Sequence, residues 1–283
     1  MTSYNGQTIS YDALGNPRTY RDGMTMQWER GRNLSSLGND ANGRTYIFTY
    51  NSDGMRVRKE VVYGHDVEKT VKYYWNGNQI AAIQDGTNLL HFTHDQDGNL
   101  FSVTLGSDTY YYLYNIQGDV IGLIDSTANQ VVSYRYDTWG KPVSMTDTSG
   151  TGIGTLNPFR YRGYCYDEET GFYYVSSRYY DPEVGRWLNA DSEISGVGGD
   201  IIGYNLYSYC GNNPVNRIDP DGHAWKDVKN WFSNTWNKVK KTAKKIVTTA
   251  KKKAYSVYYK ATKWHFEDRA TKNGAHPSYS TSK

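Results

Sequence analysis

One short pattern recurs along the first two thirds of the chain and limits the fold more than any other feature. Tyr11-Asp12-Ala13-Leu14-Gly15-Asn16 reads as an aromatic residue, Asp or Asn, two free positions, Gly and a polar residue. Variants follow at Tyr50-Asn51-Ser52-Asp53-Gly54, His94-Asp95-Gln96-Asp97-Gly98-Asn99, Tyr114-Asn115-Ile116-Gln117-Gly118-Asp119 and Tyr136-Asp137-Thr138-Trp139-Gly140-Lys141. Tyr166-Asp167-Glu168-Glu169-Thr170-Gly171 is a looser copy. A unit of about 20 to 22 residues explains most of the spacing, with Trp28-Glu29-Arg30-Gly31 marking a degenerate copy. The aromatic ends a strand, the Asp or Asn side chain accepts backbone N–H bonds, and Gly supplies the positive φ of a turn. Segments between the copies, such as Tyr46–Tyr50, Val71–Trp75 and Val131–Tyr136, are rich in strand formers. Residues 1–190 therefore read as β-hairpins stacked edge to edge in one long sheet, without helical periodicity.

Composition adds a division. The 32 Lys and Arg and 29 Asp and Glu give a net charge of +3, but 15 of the basic and only 3 of the acidic residues fall in 224–283. The body is acidic and the tail strongly basic, two electrostatic objects on one chain. Tyr, at 28 residues, suits pleated surfaces where the ring packs and the hydroxyl finds a partner. Cys165 and Cys210 lack a metal-type spacing and read as free thiols. The N-terminus has no basic region followed by an apolar run, so it is no signal peptide, and no stretch has the length of a membrane span. A fragment of a longer exported protein is one reading consistent with this.

Between the repeats and the tail lies 157–222, dense in aromatic residues. Gly171-Phe172-Tyr173-Tyr174, Arg178-Tyr179-Tyr180-Asp181-Pro182, Gly185-Arg186-Trp187-Leu188, Asn205-Leu206-Tyr207-Ser208-Tyr209, Asn212-Asn213-Pro214 and Asp219-Pro220-Asp221-Gly222 occur there in order. With the repeats, this series resembles the RHS, or YD-repeat, family: residues 1–156 the repeats, 157–222 the RHS repeat-associated core, and 224–283 the variable C-terminal segment. The resemblance implies a mainly β fold. YD-repeat hairpins would form part of a spiralling β-sheet shell, closed by the associated core, with a basic α-helical tail behind it. It also implies a polymorphic toxin whose shell holds its own C-terminal segment as cargo. An immunity protein would be a partner, and the protein would be secreted or at the cell surface. The alternative is a non-catalytic adhesion module that binds carbohydrate or a partner protein.

The resemblance further implies self-cleavage, since many bacterial members of the family cut themselves just after the core with paired aspartates. Two carboxylates cleave a peptide bond when one is ionised and takes a proton from water while the other, protonated, polarises the carbonyl. The matching positions are Asp191 and Asp219, with the cut expected between His223 and Ala224 and Arg186 in support. Two residues depart from the pattern: Ser192 replaces a proline, and His223 stands where the family has Leu. Without the resemblance, Asp191 and Asp219 read as turn residues, and Asp181-Pro182 as a rigid turn. No cofactor and no metal site is expected.

From Ala224 onward, Trp225, Val228, Phe232, Trp236, Val239, Ala243, Ile246, Ala250, Ala254 and Val257 fall at helical spacing, with lysines on the other faces. Such a helix can dock on the acidic body, lie on an anionic membrane or bind phosphates; docking is the favoured reading, and no specific nucleic acid is expected. Farther on, His265, Glu267, Arg269 and His276, beside Trp264, form a set that can support phosphodiester hydrolysis or bind a metal and is also an ordinary mix for a surface helix and loop, which is the favoured reading.

Overall fold

The computed structural model describes residues 1–228 except 97, 177, 192–204, 221 and 224. After a small hairpin, β1 (Ser3–Tyr4) and β2 (Gln7–Thr8), the chain builds one twelve-stranded antiparallel sheet in strict sequence order. Its strands are β3 (Met24–Glu29), β4 (Asn33–Asn39), β5 (Arg44–Tyr50), β6 (Arg56–Tyr63), β7 (Asp66–Asn76), β8 (Gln79–Asp85), β9 (Asn88–His94), β10 (Leu100–Leu105), β11 (Asp108–Tyr114), β12 (Val120–Ile124), β13 (Gln130–Tyr136) and β14 (Pro142–Asp147).

The recurring turns have one hydrogen-bond scheme. Asp137 Oδ1 accepts from the backbone N–H of Trp139 at 2.8 Å and of Lys141 at 2.9 Å, and Gly140 N donates to Asp137 O at 3.1 Å. Asn51 and Asn115 repeat this scheme at their own turns. A further copy, Asp125-Ser126-Thr127-Ala128-Asn129, lacks both the Tyr and the Gly; Ala128 takes φ 70° in the glycine position.

The aromatic residue has its own task. Tyr50 hydroxyl donates to Leu34 O at 2.9 Å, Tyr114 to Leu100 O at 2.7 Å and Tyr136 to Val120 O at 2.8 Å. Trp28 and Trp75 do the same with Nε1, to Pro17 O and Arg56 O. At each of the five the ladder register shifts, so the aromatic sits at a bulge; four reach back to the start of the neighbouring strand, and Trp28 to Pro17 in the segment before β3. This identifies Trp28 as a copy and adds Trp75.

The long sheet stops at Asp147, short of the expected residue 190. A short helix α1 (Ile153–Leu156) follows, and then a second sheet, β15 (Cys165–Asp167), β16 (Phe172–Val175), β17 (Arg178–Asp181) and β18 (Arg186–Trp187). This segment packs on one face of the long sheet. Phe159, Cys165, Phe172, Tyr174, Tyr179 and Leu188 share a core with Leu37, Phe48, Val71, Leu90, Val103 and Leu123. Both cysteines are buried and unbridged; burial pushes their thiols up to about 11 for Cys165 and about 12 for Cys210.

Polar bonds fix how the segment lies on the sheet. Fully buried Arg56 holds Asp167, with Nη2 to Oδ1 at 3.0 Å, and packs against the rings of Tyr73 and Tyr174. Lys59 Nζ reaches the same carboxylate at 3.0 Å. Burial pushes Asp167 up, but Arg56 and Lys59 outweigh it and hold its carboxyl below the usual range. This is why 166–171 is a loose copy of the repeat: its Asp is an ion-pair anchor rather than a turn cap.

Past the core, β19 (Arg217–Ile218) pairs antiparallel with β20 (Lys226–Asp227). The expected helix therefore does not begin at Ala224, because 226 and 227 spend their backbone bonds on a strand. The rest of that expected helix, 229–283, lies outside the described residues.

Candidate functional site

The two aspartates singled out in the sequence are brought together, and the residue that joins them is Arg178. Arg178 enters on β17, after the tight turn in which Ser176 takes φ 47°. Asp191 arrives from the end of β18: Trp187 N donates to Tyr207 O and Asp191 N to Leu206 O, both at 3.0 Å. Asp219 follows β19 and caps the next turn, accepting from Gly222 N at 3.0 Å. Tyr164 hydroxyl donates to the Asp219 carbonyl.

Arg178 Nη2 lies 2.9 Å from Asp191 Oδ2 and 3.3 Å from Asp219 Oδ2. One nitrogen thus bridges two carboxylates that are 28 positions apart in the chain. All three side chains are nearly excluded from solvent, at 4%, 9% and 4% exposure for Arg178, Asp191 and Asp219. The guanidinium lies 4.1 Å from the centre of the Trp187 ring, which is itself fully buried, and Nη1 donates to Leu206 O at 3.3 Å. Burial pulls Arg178 below its ordinary value, against the opposing pull of Asp191 and Asp219.

His223 reaches the rim of this group, with Nδ1 3.9 Å from Asp191 Oδ1 and its side chain 43% exposed. Ala224 and Ser192, two positions in the sequence argument, lie outside the described residues. Arg186 is placed elsewhere. Its guanidinium stacks over the Tyr207 ring at 4.6 Å, and its backbone pairs with Asp181. The cation that lies between the two aspartates is Arg178, not Arg186. β17 and β18 run antiparallel, and the side chain facing the aspartates comes from the former. Asp181 is a turn residue, accepting from Glu183 N at 2.9 Å, and it also binds Arg21 Nε at 2.7 Å.

Arg178 carried a signal that sequence reasoning passed over. It is the lone cation between Arg162 and Arg186, in a run of aromatic strand residues. A cation in a buried strand needs carboxylates beside it. What the arrangement supplies is a pair of buried carboxylates held on one positive charge.

A long antiparallel meander of aromatic-capped turns, covered on one face by an aromatic segment with a paired-aspartate cluster, defines a YD-repeat scaffold. The chain belongs to the RHS, or YD-repeat, family. The Teneurin YD-shell family model matches residues 78–215. A tRNA(Glu)-specific nuclease, WapA, of Bacillus subtilis subsp. natto is 38% identical over 239 residues, which cover 82% of this chain and 10% of the relative. Double-stranded DNA deaminase toxin A of Burkholderia cenocepacia is 34% identical over 248 residues, covering 76% of this chain and 17% of the toxin. Among solved structures, the TcdB2-TccC3-Cdc42 crystal structure superposes with a TM-score of 0.61 at 25% identity, over 75% of this chain and 11% of that one. The chain spans about a tenth of the length of the first curated relatives it matches.

Proposed function

We propose that this chain is the C-terminal scaffold portion of a polymorphic toxin, and that its paired aspartates release the segment behind them. The observation that carries the reading is the single Arg178 nitrogen shared by Asp191 and Asp219, with His223 at 3.9 Å from Asp191. In the proposed step the ionised carboxylate takes a proton from water, whose oxygen attacks the carbonyl carbon of His223. The protonated carboxyl donates to the carbonyl oxygen. The tetrahedral adduct collapses to a carboxylate on His223 and a free amine on Ala224, the amine taking the proton. Residues 224–283 are then the cargo, and their 15 basic residues favour docking on the acidic body until release. Export to the cell surface or beyond fits relatives named as toxins and nucleases. Contact-dependent competition, an immunity partner and an anionic membrane as target of the tail are parts of the same reading.

The same Arg178 also favours a second reading, in which it compensates two buried charges and the module is a non-catalytic binder of carbohydrate or protein. Intact mass after purification under native conditions separates the two. The first expects fragments ending at His223 and beginning at Ala224, lost in Asp219→Asn and Asp191→Asn. A full-length mass in the parent chain, with no product of the smaller fragment's size, sinks it.

A further inference from the structure

The bond that the proposed step breaks lies inside a hairpin. β19 precedes it and β20 follows it, with Arg217 opposite Asp227 and Ile218 opposite Lys226. The chain is therefore held on both sides of the bond between His223 and Ala224. Upstream, Ile218 is buried, Asp219 Oδ1 accepts from Gly222 N at 3.0 Å, and Tyr164 hydroxyl donates to Asp219 O. Downstream, Val228 is buried and its N donates to Asn216 O at 2.8 Å. Trp225, the second residue past the cut, lies against Arg217, whose guanidinium is 3.7 Å from the ring centre.

Position decides whether two carboxylates can act on a peptide bond. A nucleophile and its carbonyl carbon must approach within about 3–3.5 Å, and a misplacement of about 1 Å costs on the order of a hundredfold in rate. A strand that slips by one residue moves by about 3.3 Å and turns its side chains to the other face. Two ladder pairs are too few to hold a register, since even an isolated full hairpin is marginal in water. Here two side chains past the cut add to them: Trp225 on Arg217 and Val228 in its buried site. A slip of β20 would take Trp225 off the guanidinium and Val228 out of the core together.

We infer that Trp225 and Arg217 form a positioning clasp for self-cleavage, one that aligns the bond after His223 with Asp191 and Asp219. The inference rests on the cleavage reading given above and extends it to the far side of the bond. The piece to be released carries, at its front end, residues that the scaffold uses to align it. The choice of bond is then set by Trp225 and Val228 downstream as well as by His223.

The test follows the whole 283-residue chain made by cell-free translation, with intact mass recorded during a chase. Trp225→Ala is expected to slow the cut by about three- to tenfold. Trp225→Phe keeps a ring for the guanidinium and is expected to restore most of the rate. Arg217→Ala should match Trp225→Ala, and the double variant should be no slower than either alone, as for two halves of one contact. Lys226→Ala, at an exposed position between the two anchors, serves as the control and is expected to keep the parent rate. An unchanged circular dichroism spectrum confirms the fold of each variant. A second measurement needs no cleavage: in Asp191→Asn, the Val228 N–H is expected to exchange at least about tenfold more slowly than in an open chain, and adding Trp225→Ala should remove most of that protection. Open-chain exchange at Val228, an additive double variant, or a parent-like rate in Trp225→Ala overturns the clasp alone. A parent chain that is never cut overturns the cleavage reading and the clasp with it.

Discussion

The repeat sheet and the segment laid over it are built from the same residue types but held by opposite means. In the sheet, each unit closes on itself: the side chain of an Asp or Asn satisfies a turn within four residues, and an aromatic hydroxyl or indole N–H ties one strand to the next. In the covering segment the decisive bonds span the chain. Arg56 to Asp167, Arg21 to Asp181, Tyr50 to Tyr179 and Tyr112 to Asn157 each join distant positions. Local closure confines the damage of a lost bond to one unit; long-range closure spreads it over the whole segment.

Substitutions can break or sharpen that contrast. The largest effect belongs to Asp167→Asn, which leaves Arg56 buried without its counter-charge and is expected to cost about 3–5 kcal/mol in urea unfolding. The same carboxyl governs acid sensitivity. Its folded value lies below the ordinary one, so its contribution is complete above about pH 3.9 and is lost as the pH falls through the folded value. Asp167→Asn should flatten that acid limb. Next comes Tyr50→Phe, which orphans the Leu34 carbonyl and frees Tyr179; a loss of about 1–3 kcal/mol is expected, larger than for Tyr136→Phe at the margin of the sheet. Asp125→Ala should cost about 0.5–1.5 kcal/mol and accelerate hydrogen exchange in β12 and β13 while leaving β16 and β17 protected. If it loosens both regions alike, the contrast is wrong. The smallest change has the opposite sign: Ala128→Gly relieves a positive φ and should raise stability by about 1 kcal/mol.

The same contrast explains what the sequence discloses. Turn chemistry and alternation are local, so the antiparallel meander, its strand-ending aromatics and the turn role of Asp181 can be read from a few adjacent letters. The copy at Asp125 escapes because neither Tyr nor Gly is present and only the Asp side chain does the work. Asp167 looks like a repeat residue until Arg56, more than a hundred positions away, appears beside it. The candidate site is legible only to the same extent. Asp191 and Asp219 come from a motif order, whereas Arg178 rather than Arg186 is chosen by which strand turns its side chain inward, and that depends on tertiary register. The tail shows the limit of periodicity, since Lys226 and Asp227 fit a helical spacing and pair as a strand.

The contacts of the covering segment have a bearing on how such chains vary in length. Its partners run from Gly15 and Arg21, before β3, through Tyr50, Arg56 and Tyr112 to Tyr134 on β13, each at one fixed station. Inserting or deleting one turn-and-hairpin unit between those stations would slide every later partner out of reach. The segment therefore acts as a ruler that freezes the number of units beneath it, and growth or shrinkage of the scaffold is confined to sequence lying before Tyr11.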